Sequence, residues 1–187
     1  MAETAQKQPG SGEGTPVASQ PRVVEGNLVV PPGARFALVA SRFNHFIVDR
    51  LVEGAVDAIV RHGGAAGRVT IVRVPGAWEI PSAVARLARK GQVDAIVALG
   101  AVIRGSTPHF DYVAAEATKG IAQAGMQSGL PVVFGVVTAD TVEQAMDRAG
   151  VKAGNKGFEA AMSAVELVNL YRDAFNDKAG GGRRKGK

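Results

Sequence analysis

Apolar and polar positions along this chain fall into two alternating kinds of block. Short continuous apolar runs, rich in Val and Ile, occupy residues 35–40, 69–74, 95–102 and 131–137. Apart from Arg73 in the second run they carry no internal charge, which suits strands buried on both faces. Between them, apolar residues recur three and four apart. Ile47, Leu51, Val52, Ala55, Val56, Ile59 and Val60 line one helical face, Ala83, Val84, Leu87 and Ala88 a second, and Val113, Ala117, Ile121 and Ala124 a third. After the fourth strand, Thr141 is placed to cap a short helix that stops at Gly150, and a last helix is expected over 160–174. Strand followed by helix, four times over, predicts an α/β fold: a three-layer α-β-α sandwich around a four-stranded parallel sheet. Residues 27–30, just before Pro31-Pro32-Gly33, add a candidate N-terminal edge strand.

The punctuation between these blocks sets the boundaries. Residues 1–22 are Gly-, Ser-, Pro-, Gln- and Thr-rich and read as a disordered tail. Residues 23–175 form one domain, and 176–187 are a Gly-rich basic tail. Asn44 is a candidate N-cap for the first helix, Gly63-Gly64 ends it, Gly91 and Gly129 end the second and third, and residues 151–157 read as a loop.

Composition removes several kinds of chemistry. With no cysteine, a disulfide framework, a thiolate nucleophile and a zinc-thiolate centre are all excluded. His45, His62 and His109 lack the spacing of a helical metal site, so no metal is expected. No apolar run approaches the roughly 18 residues of a membrane span, and no secretory h-region is visible, so a cytoplasmic protein is expected. The net charge of +5 suggests nucleic acid until it is located: Lys178, Arg183, Arg184, Lys185 and Lys187 account for all of it. The rest of the chain is neutral, with no basic stripe, and no specific nucleic-acid partner is expected.

Candidate chemistry gathers where strands end. The third run stops at Arg104-Gly105-Ser106-Thr107-Pro108-His109, a polar loop at the carboxyl end of a buried strand, where open α/β sheets keep their ligands. Gly105, Ser106 and Thr107 offer backbone N–H groups and hydroxyls to an anion, and Arg148 and Lys156 offer charge to the same end. His109 is the one imidazole placed to shuttle protons there; a helix-terminal His bonded to backbone is the plainer alternative. Phe43 either staples the first helix or offers a surface to a planar ring. Trp78 is either core or cleft, Glu79 either a ligand or a first-turn acid favoured by the helix dipole. Phe134, inside a strand, is either core or the far side of a ring sandwich. A Gly-x-Gly-x-x-Gly fingerprint, a P-loop and a Gly-x-Ser-x-Gly elbow are all absent. No acidic cluster follows the first strand, which argues against a receiver-type signalling module. The residues alone support a phosphorylated small-molecule site in an α/β domain.

Five stretches then occur in a telling order. They are Ser41-Arg42-Phe43-Asn44, residues 76–81 (Gly-Ala-Trp-Glu-Ile-Pro), residues 101–113 (Ala-Val-Ile-Arg-Gly-Ser-Thr-Pro-His-Phe-Asp-Tyr-Val), residues 134–138, and Asp147-Arg148-Ala149-Gly150 followed by Gly154-Asn155-Lys156-Gly157. The ordered set resembles the 6,7-dimethyl-8-ribityllumazine synthase family over roughly residues 27–174. The resemblance implies a flavodoxin-like fold and the penultimate step of riboflavin biosynthesis, run without cofactor or metal. It implies His109 as proton donor and acceptor, Phe43 stacked on the pyrimidine, and Ala101, Val102 and Ile103 holding its edge through backbone groups. Ala77, Trp78 and Glu79 would bind the ribityl chain, and Ser106, Thr107 and Arg148 the phosphate, with Lys156 a further candidate. Phe134 would arrive from a neighbouring subunit. The family forms pentamers, and some members close twelve of them into a 60-subunit icosahedral shell that can hold riboflavin synthase as cargo. The short loop over 150–157 points to the shell. The competing class is a container that holds lumazine or flavin without making it.

Overall fold

The computed structural model describes residues 21–152 and 154–175; most of the N-terminal tail and the whole basic C-terminal tail lie outside them. Nine elements follow in chain order: β1 (Phe36–Ser41), α1 (His45–Arg61), β2 (Val69–Val74), α2 (Ile80–Lys90), β3 (Ala95–Ile103), α3 (His109–Ser128), β4 (Val132–Ala139), α4 (Val142–Arg148) and α5 (Lys156–Phe175). The strands pair in parallel in the order β2-β1-β3-β4. That is the doubly wound α/β arrangement expected from the blocks.

Period-2 alternation within β1 and β3 divides the core between the sheet's two faces. Phe36, Leu38, Ala40, Val97 and Leu99 pack with α1 and α5, whereas Ala37, Val39, Ile96 and Ala98 pack with α2 and α3. Because both faces are covered, β1 is buried throughout and β3 along nearly all its length. That is why these two runs carry no charge.

The closest helix contact is between α1 and α5. A Cβ placed on Gly157 would lie 1.9 Å from the Leu51 carbonyl oxygen, so only glycine lets the start of α5 reach the α1 backbone. Gly157→Ala is expected to cost about 3 kcal/mol or more, at the upper end for overpacking a site that cannot relax. The check is the urea midpoint at fixed protein concentration.

Four local expectations are corrected. Residues 27–30 form no strand among the described residues. The carbonyls of Asn27 and Val29 accept instead from Asn169 Nδ2, at 2.9 Å each, and the Val30 N–H donates to the His62 carbonyl at 2.8 Å. Backbone groups satisfied by helices have no need of a sheet edge. Asn44 takes the N-cap position of α1 as expected, but its side chain makes no capping hydrogen bond there; its backbone is left-handed, φ 57°. Residues 151–157 are not all loop, since α5 begins at Lys156 with Asn155 Oδ1 accepting from the Gly157 and Phe158 N–H groups. Finally, the polar loop expected over 104–109 stops short of His109, which already begins α3, because Pro108 has helical backbone. Thr141 caps α4 as expected, accepting from the Gln144 N–H at 3.2 Å.

Candidate active site

Strand order reverses between β1 and β3, and the carboxyl ends of parallel strands open a crevice at such a switch point. A cleft of about 830 Å³ lies there, of the size that small-molecule sites occupy. One wall is Phe43 and Asn44 after β1. Residues 75–79 after β2 form a second, the end of β3 (Ala101, Val102, Ile103) the floor, and Gly105, Thr107, His109, Phe110, Tyr112 and Val113 the third side.

Backbone pairing carries on past the strands and fixes these walls. The Arg42 N–H donates to the Val74 carbonyl at 2.7 Å and the Phe43 N–H to that of Pro75 at 3.0 Å, so the loops after β1 and β2 leave the sheet side by side. The Ala77–Glu79 segment then makes a single 3₁₀ turn, closed by Glu79 Oε2 accepting from the Gly76 N–H at 2.9 Å. That bond aims the carboxylate at the cleft and leaves the other oxygen to accept from a ligand's hydroxyl. Neither Trp78 nor Phe43 is core: they are 56% and 71% exposed, an unfavourable state for large rings unless something covers them.

Asn44 is the residue whose part the sequence pattern concealed. Its Nδ2 donates to the Ala101 carbonyl at 2.8 Å, tying the loop after β1 to the strand that forms the cleft floor. It is the one non-glycine residue with positive φ among those described, a conformation asparagine tolerates and which marks functional turns. The Ala101 carbonyl keeps a second lone pair for a ligand.

The loop carrying His109 is held at both ends by Arg104. Its N–H donates to the Ala139 carbonyl at 2.9 Å, Nε donates to Asp140 Oδ1 at 3.0 Å, and Nη1 reaches Asp111 at 3.1 Å. Its guanidinium carbon also sits 4.1 Å from the centre of the Phe110 ring. The Asp140 hydrogen bond first, then the one to Asp111, pushes the guanidinium above its ordinary range. Arg104 thereby closes the loop on the two residues that follow His109, and His109 begins α3 on the cleft's rim.

The remaining candidates stand elsewhere in the chain. Phe134, Arg148 and Lys156 share a second cavity of about 410 Å³ with Glu159 and the outer face of β4. Phe134 is 41% exposed on this edge strand, so it is not core, and within one chain it lies in a different cavity from Phe43. Lys156 pairs with Glu159, while Arg148 makes no ion pair among the described residues. Ser106 is exposed beside Thr107 and lines neither cavity. One chain thus presents two separate clusters, ten candidate residues around the first cleft, Gly105 among them, and three around the second. Asn44, Pro75, Gly76, Phe110, Tyr112 and Val113 also line the first cleft, although none had been given a part in it. Tyr112 and Val113 were findable, since they lie three and four residues after His109 on one helical face.

A parallel flavodoxin-like sheet with an aromatic-walled cleft at its switch point, a carboxylate and an imidazole on its rim, defines a small-molecule enzyme. The family model described as 6,7-dimethyl-8-ribityllumazine synthase matches residues 33–172. The relative of that name from Aquifex aeolicus is 58% identical over 151 residues, spanning 81% of this chain and 97% of its own. Those from Chlorobaculum tepidum and Nautilia profundicola are 60% and 55% identical over 149 and 152 residues, covering 80% and 81% of this chain and 96% and 99% of theirs. The chain belongs to the 6,7-dimethyl-8-ribityllumazine synthase family. Among the described residues, no helix is long and apolar enough to cross a membrane.

Proposed function

We infer that this chain is a transferase that condenses 5-amino-6-(D-ribitylamino)uracil with 3,4-dihydroxy-2-butanone 4-phosphate. The products are 6,7-dimethyl-8-ribityllumazine, phosphate and water, and the step is the penultimate one of riboflavin biosynthesis. The observation that supports the reading is the cleft itself, which brings exposed rings, a strand's backbone edge and a carboxylate together around one space, the groups a ribityl-pyrimidine would need.

In this reading Phe43 stacks on the pyrimidine, the backbone of Ala101, Val102 and Ile103 takes its edge, and Ala77, Trp78 and Glu79 receive the ribityl hydroxyls. The 5-amino nitrogen attacks the ketone carbon, and loss of water leaves an imine. Removal of the proton from the neighbouring hydroxyl-bearing carbon lets phosphate depart from the terminal carbon. The resulting enol becomes a ketone, which the ribityl-bearing nitrogen attacks, and a second water leaves as the ring closes. His109 is the group that takes and returns protons in these steps. Ser106 and Thr107 meet the phosphate with hydroxyl and N–H donors, and Arg148 and Lys156 meet it with charge.

Phe134, Arg148 and Lys156 serve a cleft other than their own chain's, which is the arrangement a ring of identical subunits produces. The subunits form a pentamer in this reading, and the short loop over 150–157 favours closure of twelve pentamers into a shell that can enclose riboflavin synthase. Sedimentation is expected to show the 60-subunit particle; a lone pentamer would remove the shell.

The activity is tested by mixing the two substrates and following lumazine absorbance and phosphate release, with the enzyme-free rate subtracted. Product formation proportional to enzyme is expected. Tight lumazine binding without turnover above the blank would make the protein a container instead.

A further inference from the structure

The segment between α4 and α5 turns on one side chain. Asn155 Nδ2 donates to the carbonyls of Arg50 in α1 and Ala149 after α4, at 2.9 Å each. Its Oδ1 accepts from the N–H groups of Gly157 and Phe158 at the start of α5, at 2.8 and 3.1 Å. Both donors and both lone pairs of the amide are therefore in use. It lies flat on α1, where a Cβ at Gly54 would come within 2.5 Å of it.

The same residue sets a register. Ala149 and Asn155 form an antiparallel bridge, and the next pair outward is Arg148 and Lys156. Both line the cavity under β4. Arg148 ends α4 and Lys156 begins α5, so both cations stand at helix ends on one cavity, and Glu159 pairs with Lys156 only.

We propose that Asn155 is a positioning residue for phosphate: by clamping Ala149 against the start of α5 it holds Arg148 and Lys156 as a preformed pair. The proposal rests on reading these two as the phosphate ligands. A phosphate meeting a fixed pair loses less freedom on binding than one that must gather two mobile side chains. Asn155 lines neither the first cleft nor the cavity of Arg148 and Lys156, so it acts on phosphate through those two residues.

The variant that separates its duties is Asn155→Ser. Serine is as good a helix cap and can still accept from the start of α5. Its single short hydroxyl cannot donate to the Arg50 and Ala149 carbonyls together. The apparent KM for the butanone phosphate is expected to rise about tenfold or more, since misplacement of roughly 1 Å can cost on the order of a hundredfold. The KM for the ribitylaminouracil and kcat at saturation should stay within about twofold, which a general loss of structure would not allow. Arg148→Ala is run beside it. If Arg148→Ala raises the butanone phosphate KM and Asn155→Ser does not, the positioning role is wrong. If neither moves it, the phosphate reading itself fails.

A second measurement uses the unmodified protein and stands whether or not the serine variant assembles. Inorganic phosphate at inhibiting concentration should slow amide exchange at Gly157 and Phe158, because a ligand that needs the clamp closed stabilises it. Inhibition by phosphate with no added protection there would overturn the proposal.

Discussion

Arg148→Ala is expected to raise the apparent KM for 3,4-dihydroxy-2-butanone 4-phosphate by about 30- to 900-fold, the equivalent of roughly 2–4 kcal/mol for truncating one partner of a desolvated charged pair. The magnitude follows from where the side chain stands. In a single chain Arg148 is exposed at the end of α4, without an ion pair among the described residues, beside a cavity and beside a second cation. An exposed cation of this kind contributes about 1 kcal/mol at most to any pairing. Covered by a neighbouring subunit and faced with a phosphate, it becomes a buried, charge-assisted partner. The large effect is therefore conditional on assembly, and it should fall on one substrate only. Steady-state kinetics with each substrate varied in turn checks it. An unchanged KM for the butanone phosphate would remove Arg148 from the site.

His109→Ala is expected to lower kcat by about tenfold to a hundredfold, at or below the low end for a positioned general acid–base. The modest figure has a chemical reason. An amine and a ketone condense unaided in water, and phosphate is a good leaving group, so much of the catalysis is alignment of the two substrates. Removing the imaginary line between proton shuttle and scaffold is what the variant must achieve: alanine keeps α3 intact, because the start of that helix is set by Pro108 backbone geometry and by the Arg104 grip on Phe110 and Asp111. Both KM values should therefore hold while kcat falls. A kcat within about twofold of wild type would assign the proton transfers to water or to the substrate phosphate instead.

The architecture was legible because its signals are local. Val69–Val74 was read to the residue, and α2, α3 and α4 end at Lys90, Ser128 and Arg148, next to glycines or at a stop visible in the chain. The first cleft was legible for a related reason: a polar loop after an apolar run needs only one-dimensional pattern to be noticed. What stayed hidden was settled by partners distant in sequence. Asn44 looks like a cap because asparagine favours that position, yet its amide is claimed by Ala101, 57 residues away. Asn155 sits in a stretch that reads as loop, but its bond to Arg50 spans 105 residues and starts a helix four residues earlier than the apolar spacing does. Residues 27–30 have strand-like composition, and Asn169, 140 and more residues on, takes the carbonyls a strand would have used. The separation of Phe134, Arg148 and Lys156 from the first cleft is likewise invisible in one-dimensional spacing, since it depends on which edge of the sheet each element packs against.

Subunit complementation tests the central claim most directly, namely that one chain's His109 cleft works with another chain's Arg148. His109→Ala and Arg148→Ala are each assayed at butanone phosphate well below the raised KM, then unfolded together, mixed in equal amounts and reassembled. In a mixed ring, about a quarter of the interfaces join an intact cleft to an intact cation, so activity should return to about a quarter of wild type. If the mixture gives only the average of the two variants, each chain completes its own site, and the shared-site account is wrong.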